Sequence, residues 1–228
     1  PTQRYVGELY FQAHRGTFTS QARTKKLNRQ SEVSLHEAEF WSSLAHSLKG
    51  HPFSAEDLKP SWRKVLLNQF HDILPGSSIH RVYEEAEAAF TQVIDSAAST
   101  TKTSQSVLLK KKTPGSLTLF NSLSWERKAL VETSQGMLEV VVPPCGWTTV
   151  KQAAGKAPSS HEDIVKASET SLENEILVAS INDRGELVSL LDKRTGIDAM
   201  AGAGNRFCLY KDIPARFDAW DIDSMTED

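Results

Sequence analysis

Apolar residues recur at helical spacing over residues 22–48, the first long segment with a clear period. The apolar stripe lies between charged faces and comprises Leu35, Ala38, Trp41, Leu44, Ala45 and Leu48. Residues three and four apart share one face of a helix, so this pattern predicts an amphipathic helix with one buried side. The Lys-Gly-His-Pro sequence at 49–52 predicts the end of this helix, because glycine and proline both interrupt helices.

A second helix is predicted after this break. Ser54 followed by Asp57 resembles a capping box, and Pro60 suits a first helical turn. The Pro-Gly-Ser-Ser sequence at 75–78 combines a helix breaker with two candidate N-caps, so the second helix is expected to stop around Asp72. Its predicted stripe is Trp62, Val65, Leu66, Gln69 and Phe70.

A third helix follows the Pro-Gly-Ser-Ser sequence. Its predicted buried side is Val82, Ala86, Ala89, Phe90, Val93, Ile94 and Ala97. Three amphipathic helices with short connections bury their stripes most simply against one another. Residues 21–100 are therefore predicted to form a three-helix bundle, and the polar residues from 101 to 112 are expected to form a linker.

Beyond residue 113 the apolar period changes from helical to alternating. Alternation at 117–119 and 137–142 is typical of strands, and the Pro143-Pro144 pair predicts a stop. The apolar runs at 175–181 and 186–191 flank the short polar sequence Asn-Asp-Arg-Gly, which predicts a hairpin, and residues 192–196 predict the next turn. The predicted fold class is α+β multidomain, a three-helix bundle followed by a truncated antiparallel β-sandwich region.

Composition excludes several classes of protein. The 228 residues carry 26 Lys and Arg against 29 Asp and Glu, a formal net charge of -3, so no overall basic field attracts nucleic acid or an anionic membrane. No apolar run is long enough to span a bilayer. Cys145 and Cys208 lie far apart in the sequence and fit neither a disulfide-dense scaffold nor a thiolate metal site, which favours a reducing compartment.

Both ends of the sequence resemble cuts within a longer protein. Strand-like alternation begins soon after Pro1, and the sequence stops at Asp228 shortly after an aromatic and acidic run. A missing signal peptide is therefore uninformative. A truncated sandwich leaves strand edges unpaired, so self-association is expected, and a clean monomer in light scattering would count against it.

One histidine is placed where metal chemistry is plausible. The seven histidines form no i, i+4 pair on one helix, and no nucleophile elbow, phosphate loop or dinucleotide fingerprint is present. His71 and Asp72, however, put an imidazole beside a carboxylate at a predicted helix end, and neutral imidazole suits zinc. The alternative is a histidine that interacts with the helix dipole and an aspartate that caps the turn.

Five sequence blocks, in the same order, resemble glycoside hydrolase family 38 α-mannosidases of the bacterial and cytosolic branch. The central block is QFHD at 69–72 with LPGSS at 74–78, which resembles the signature of the family's middle domain. The others are HRGTFTSQ at 14–21, LFNSLSW at 119–125, DKRTG at 192–196 and FDAWDID at 217–223. Because the resemblance spans nearly the whole chain in one order, it is far more specific than any single block.

The resemblance implies a domain order and a zinc enzyme. Residues 1–20 would end the catalytic domain, 21–100 would form the helical middle domain, 101–112 the linker, and 113–228 the beginning of the C-terminal β-sandwich region. Family members bind one zinc ion through a His and two Asp residues of an N-terminal α/β domain and one His of the helical domain, and His71 matches that last ligand. Asp72 would contact hydroxyls of the bound mannose.

The same resemblance implies that the catalytic residues lie elsewhere. Retaining hydrolysis uses two carboxyl groups about 5 to 5.5 Å apart, and both would lie upstream, so the fragment alone is expected to be inactive. Arg15 and Thr17 would line the pocket edge as substrate contacts, with helix capping and a surface turn as the alternative. Trp220 would reach the site or, alternatively, be buried in a sheet, and Phe217 replaces a larger aromatic expected there.

The expected partners are a mannose-containing oligosaccharide and the upstream catalytic domain, without nucleic acid or membrane and with a possible homo-oligomer. The expected location is cytoplasmic. Two other functions stay open from the sequence. A non-catalytic carbohydrate-binding or scaffold module would be favoured by a flat patch of exposed aromatics such as Trp147 or Trp220. Another metal-dependent hydrolase would differ in its upstream ligands.

Overall fold

The computed structural model describes residues 14–53, 55–109, 114–133, 136–151, 165–211 and 213–222. These residues form two compact units. The helical unit contains the described residues of Pro1–Lys112 and Tyr210–Asp228, and the strand unit contains those of Thr113–Leu209. The predicted α+β fold class, three helices followed by antiparallel strands, is confirmed. No helix within the described residues has the length and apolar content needed to cross a membrane.

The helical unit begins with a short 3-10 turn, Arg15–Phe18, and continues with three α-helices. These are α1 (Ala22–Lys49), α2 (Ala55–Asn68) and α3 (His80–Leu108). The shared core consists of Leu35, Ala38, Leu58, Val65, Ala86, Phe90, Val93 and Ala97, with Leu27, Phe53, Trp62 and Ile73 packed around it. The predicted stripes of α1 and α3 thus supply most of the core, except Leu48 at the end of α1, which is exposed.

The second helix differs from its prediction. It ends at Asn68, because the backbone hydrogen bonds beyond this residue begin to join residues three apart and not four. The N–H of Phe70 donates to the Leu67 carbonyl oxygen at 3.2 Å. Leu66 and Phe70, predicted to be buried, are 61% and 51% exposed. Val65 is buried as predicted, and Leu58 and Asn68 complete the buried side of α2. Ser54, the predicted cap, lies outside the described residues.

The third helix is longer than its sequence suggested. We expected a linker from residue 101, but α3 continues to Leu108. Ser104 is buried and shares a hydrogen bond of 2.9 Å with Ser42 of α1, and Leu108 is also buried. The burial of these two side chains explains why the helix persists through a sequence rich in serine and threonine.

The strand unit contains nine antiparallel strands among its described residues. They are β1 (Ser116–Asn121), β2 (Arg127–Thr133), β3 (Gly136–Val142), β4 (Gly146–Lys151), β5 (Lys166–Ala167), β6 (Ser171–Glu173), β7 (Leu177–Ile181), β8 (Leu187–Asp192) and β9 (Ile197–Asp198). Strand β1 pairs with β4, β2 pairs with β3, and β5 to β9 form one sheet in sequential order. The predicted hairpin is confirmed as β7 and β8, with the register Leu177↔Asp192.

Candidate functional site

A loop between α2 and α3 carries His71 and Asp72. Its turns are closed by backbone hydrogen bonds from Ile73 and Leu74 to the Phe70 carbonyl oxygen, at 2.9 and 3.1 Å. The Ser78 hydroxyl donates to the Asp72 carbonyl oxygen at 2.6 Å, and the side chain of Ile73 packs against the core. The loop is therefore anchored through its backbone, which leaves the side chains of His71 and Asp72 at the surface.

The His71 imidazole and the Asp72 carboxylate lie close together and face solvent. His71 Nε2 is 3.5 Å from Asp72 Oδ2, and the two side chains are 77% and 53% exposed. The Phe70 ring supports the imidazole, with 4.1 Å between ring centroids. His71 lies three residues beyond the end of α2, so it is not part of the last helical turn. An exposed imidazole beside a carboxylate can bind a metal ion or a polar ligand.

An open depression of about 370 Å³ borders His71. Its described lining residues are Thr17, Phe18, Lys25, Asn28, Gln69, His71, Leu74 and Pro75. The structure thus brings Thr17 and His71 together, two residues that the sequence analysis assigned to one site. Arg15 is exposed on the 3-10 turn, and neither Arg15 nor Asp72 is among the described residues that line this depression.

Polar side chains hold the walls of the depression. The Gln69 amide donates to Asn28 Oδ1 at 3.0 Å and to Glu32 Oε1 at 2.8 Å. Lys25 Nζ donates to the Leu74 carbonyl oxygen at 2.8 Å and also to that of Ser20. Partial burial lowers the pKa of the Lys25 ammonium from its ordinary value. These bonds join the start of α1 to both sides of the loop that carries His71.

Residues 217–222, the described part of the FDAWDID block, pack against the HRGTFTSQ block at 14–21. The Gly16 N–H donates to the Trp220 carbonyl oxygen at 2.6 Å, and the Ser20 hydroxyl donates to that of Ala219 at 2.9 Å. The Trp220 ring lies 4.6 Å from the His14 ring, between centroids. Trp220 is therefore in a turn beside the 3-10 turn, and its alternative placement within a sheet is wrong.

The aromatic residues considered for a sugar-binding patch are half-buried. Trp147 packs at 6.1 Å from Phe120 in the strand unit, and Trp220 stacks at 5.6 Å on Phe217 in the helical unit, between ring centroids. Each indole thus has an aromatic neighbour within its own unit. This arrangement does not favour the interpretation as a carbohydrate-binding module.

The described residues do not form a complete metal site. Within the part of the chain that the structure describes, no group of three or more His, Cys, Asp or Glu side chains is arranged to hold a metal ion. Four ligands are usual around zinc, and a single imidazole does not hold the ion tightly. His71 fits one ligand position of a larger set, with Asp72 beside it.

Two family models match the chain and decide its membership. One describes the α-mannosidase middle domain and matches residues 12–108, and the other describes the glycosyl hydrolases family 38 C-terminal domain and matches residues 172–228. The chain belongs to glycoside hydrolase family 38. The first match covers all three helices and the His71 loop, and the second covers β7 to β9 and the Trp220 turn.

Relatives support the same assignment of this family 38 chain. Human α-mannosidase 2C1 is 34% identical over 96% of this chain and 22% of its own length, and an α-mannosidase of Saccharomyces cerevisiae is 31% identical over 96% of this chain and 20% of its own length. A crystal structure of an α-mannosidase from Enterococcus faecalis shares the fold, with a TM-score of 0.62 and 15% identity over 80% of this chain and 29% of that one. The chain spans about a fifth to a quarter of the curated relatives it matches.

Sequence reasoning missed Lys25 and Asn28 as members of the site. The sequence nevertheless held a sign of Asn28. The buried face of α1 continues toward the start of the helix through three polar residues, Ser31, Asn28 and Thr24. Polar residues at core-facing positions require partners or mark a site. Here Asn28 contacts Gln69, which supports the wall beside His71.

Proposed function

We propose that this chain is the middle part of a zinc-dependent retaining α-mannosidase that removes terminal mannose from glycans. The observation that carries the proposal is the exposed imidazole of His71, which lies 3.5 Å from the Asp72 carboxylate at the position where family resemblance expects a zinc ligand. The curated relatives are named α-mannosidases, which supports the same substrate class. The full-length protein would be the active species.

His71 would hold zinc together with ligands from the catalytic domain. Its ring nitrogens are accessible because the loop is anchored through backbone atoms and leaves the side chain 77% exposed. When bound, zinc would act as a Lewis acid that holds sugar hydroxyl groups. The family's nucleophile and acid/base carboxyl groups would also come from that domain, so the chain's own role is to complete the site.

Asp72 and Thr17 would contact the sugar. The Asp72 carboxylate is half exposed and can accept hydrogen bonds from hydroxyl groups, which are stronger when the acceptor is charged. Thr17 lines the depression, although its hydroxyl donates at 2.6 Å to the His14 carbonyl oxygen. Its hydroxyl oxygen can still accept a bond. Arg15, on the same turn, would contact substrate from the pocket edge.

We also propose a cytoplasmic location and a contact with the upstream catalytic domain. Cys145 and Cys208 are both exposed and unpaired among the described residues, which suits a reducing compartment.

An apolar surface lies close to the His71 loop. Leu66, Leu67 and Phe70 are exposed on the stretch that leads into the loop, and Phe18 is exposed on the 3-10 turn. This apolar surface would be covered by the catalytic domain in the full-length protein. We also propose that the protein forms homo-oligomers.

The test compares the full-length protein with its His71→Ala variant and with this fragment, using p-nitrophenyl α-mannoside with added zinc. His71→Ala is expected to lose bound zinc and at least about 100-fold in kcat/KM, since even loss of an outer contact to a metal ligand costs about 10- to 100-fold. The fragment is expected to be inert. The matched control is His80→Ala, which removes an imidazole that is 87% exposed at the start of α3.

The two histidine variants separate a ligand from a surface residue. His80→Ala is expected to keep both zinc and activity. If His71→Ala also kept its zinc and its activity, His71 would be only a loop residue, and the proposal would lose the ligand on which it rests.

A further inference from the structure

The side chain of Lys25 lies between two segments that meet beside His71. It belongs to the first turn of α1, and its ammonium group donates to the carbonyl oxygens of Ser20, just before the helix, and Leu74, in the His71 loop. The bond to Leu74 measures 2.8 Å and joins residues 49 positions apart in the sequence. A cation that binds two carbonyl oxygens makes charge-assisted hydrogen bonds, which are stronger than neutral ones.

The hydrogen bond from Lys25 to Leu74 holds the loop two residues after Asp72. On the upstream side, the Gln69 amide is held by Asn28 and Glu32 at 3.0 and 2.8 Å. On the downstream side, Leu74 is held by Lys25. His71 and Asp72 therefore lie within the six-residue segment 69–74, whose two ends are both hydrogen-bonded to α1.

We propose that Lys25 is a positioning residue for His71, because its ammonium group fixes the Leu74 backbone and thereby the loop that presents the imidazole. This inference rests on the proposed function as far as zinc is concerned. The two hydrogen bonds from Lys25 to Ser20 and Leu74 do not rest on the proposed function, because they join groups of this chain alone. Lys25 also lines the same depression as His71, so it acts at the site and not through a distant element.

The chemistry of the two acceptors explains why the side chain at this position has to be a hydrogen-bond donor. Both are backbone carbonyl oxygens, which accept hydrogen bonds but cannot donate them. Methionine has a similar length but no N–H, so Lys25→Met leaves both oxygens without this donor. Glutamine keeps two N–H groups without the charge and with a shorter reach. Lys25→Met therefore removes both hydrogen bonds, and Lys25→Gln weakens them.

The experiment uses the full-length protein and compares Lys25→Met with the control Lys26→Met, which makes the same change one residue further along α1, where the side chain is exposed. Three quantities are measured: zinc affinity, the kinetics of p-nitrophenyl α-mannoside hydrolysis, and hydrogen exchange of the loop at 70–76. Lys25→Met is expected to weaken zinc binding about 10- to 100-fold, as loss of an outer contact to a ligand does. The lost kcat should return at saturating zinc, and the loop should exchange faster.

The outcomes distinguish this inference from the proposed function. Lys25→Gln is expected to give an intermediate zinc affinity, and Lys26→Met an unchanged one. Loop exchange in Lys25→Met equal to that in Lys26→Met would overturn the positioning role, even if His71→Ala lost its zinc. A different result would be faster loop exchange in Lys25→Met, with zinc retained in both Lys25→Met and His71→Ala. That result would overturn His71 as a ligand and would still support Lys25 as the anchor of the loop.

Discussion

Two glycines permit the close approach of three backbone segments beneath the candidate site. A Cβ atom at Gly16 would lie 2.9 Å from the Trp220 carbonyl oxygen, and one at Gly76 would lie 2.7 Å from the Cβ atom of Ser20. Gly76 also has a φ of +96°, where side chains are strained. Ser20 lies between these contacts, so it joins the Trp220 turn to the loop that carries His71.

Gly76→Ala is expected to destabilise the helical unit by at least about 2 kcal/mol, the sum of left-handed strain of about 1–2 kcal/mol and overlap with Ser20. The control is Gly50→Ala at the end of α1, where φ is +66° but no atom lies within 4 Å of an added Cβ. That variant carries the strain alone. Urea unfolding followed by circular dichroism measures both, and equal losses would show that the contact with Ser20 is unimportant.

At the residue scale, the sequence identified the site members that lie in the family-like blocks better than those whose role depends on a distant contact. His71 and Thr17 belonged to blocks that resemble the family, and the structure places both on one depression. Lys25 could not be predicted, because its role depends on a bond to a carbonyl oxygen 49 residues away. A backbone acceptor has no side chain, so no residue pattern marks it.

At the element scale, periodicity predicted where the helices lie more reliably than where they end. The predicted 22–48 helix agrees closely with Ala22–Lys49, because glycine and proline follow it. The end of α3 was missed because its last turns are rich in serine and threonine, which compete with the helix backbone in isolation. In the structure, Thr100 and Thr103 instead donate to the carbonyl oxygens four residues earlier, at 3.1 and 3.0 Å, within an intact helix.

The turn after β8 lowers the pKa of Asp192, the last residue of that strand. The Arg194 side chain, followed by the backbone N–H groups of Arg194 and Thr195, stabilises the Asp192 carboxylate and lowers its pKa from 3.8 to about 2. As pH falls, the unfolded chain binds the proton first. The stabilisation is therefore present above about pH 4 and is lost between about pH 4 and pH 2.

NMR titration of the Asp192 carboxyl group tests this turn. Arg194→Gln is expected to raise the pKa of Asp192 back toward its ordinary value, since the largest cause of the shift is removed while the backbone donors remain. Arg127→Gln, on β2, serves as the control and should leave the titration unchanged. A pKa of Asp192 unaffected by Arg194→Gln would show that the ion pair does not form in solution.

At the scale of the whole molecule, the chain corresponds to only part of the length of its relatives. It forms two units, matches two domain models of one family, and spans about a fifth to a quarter of its curated relatives. The described residues offer His71 and Asp72 but not a full set of zinc ligands. We therefore propose that His71 completes a zinc site whose other ligands come from the catalytic domain.

Anomalous scattering at the zinc absorption edge, measured on crystals of the full-length protein, would show whether His71 binds the metal. We expect one zinc peak about 2.0–2.1 Å from a ring nitrogen of His71, the usual distance between zinc and an imidazole nitrogen. Asp72 should lie beside the metal, within reach of a bound sugar. A zinc ion with a complete set of ligands that leaves the His71 imidazole in solvent would show that His71 is not a zinc ligand.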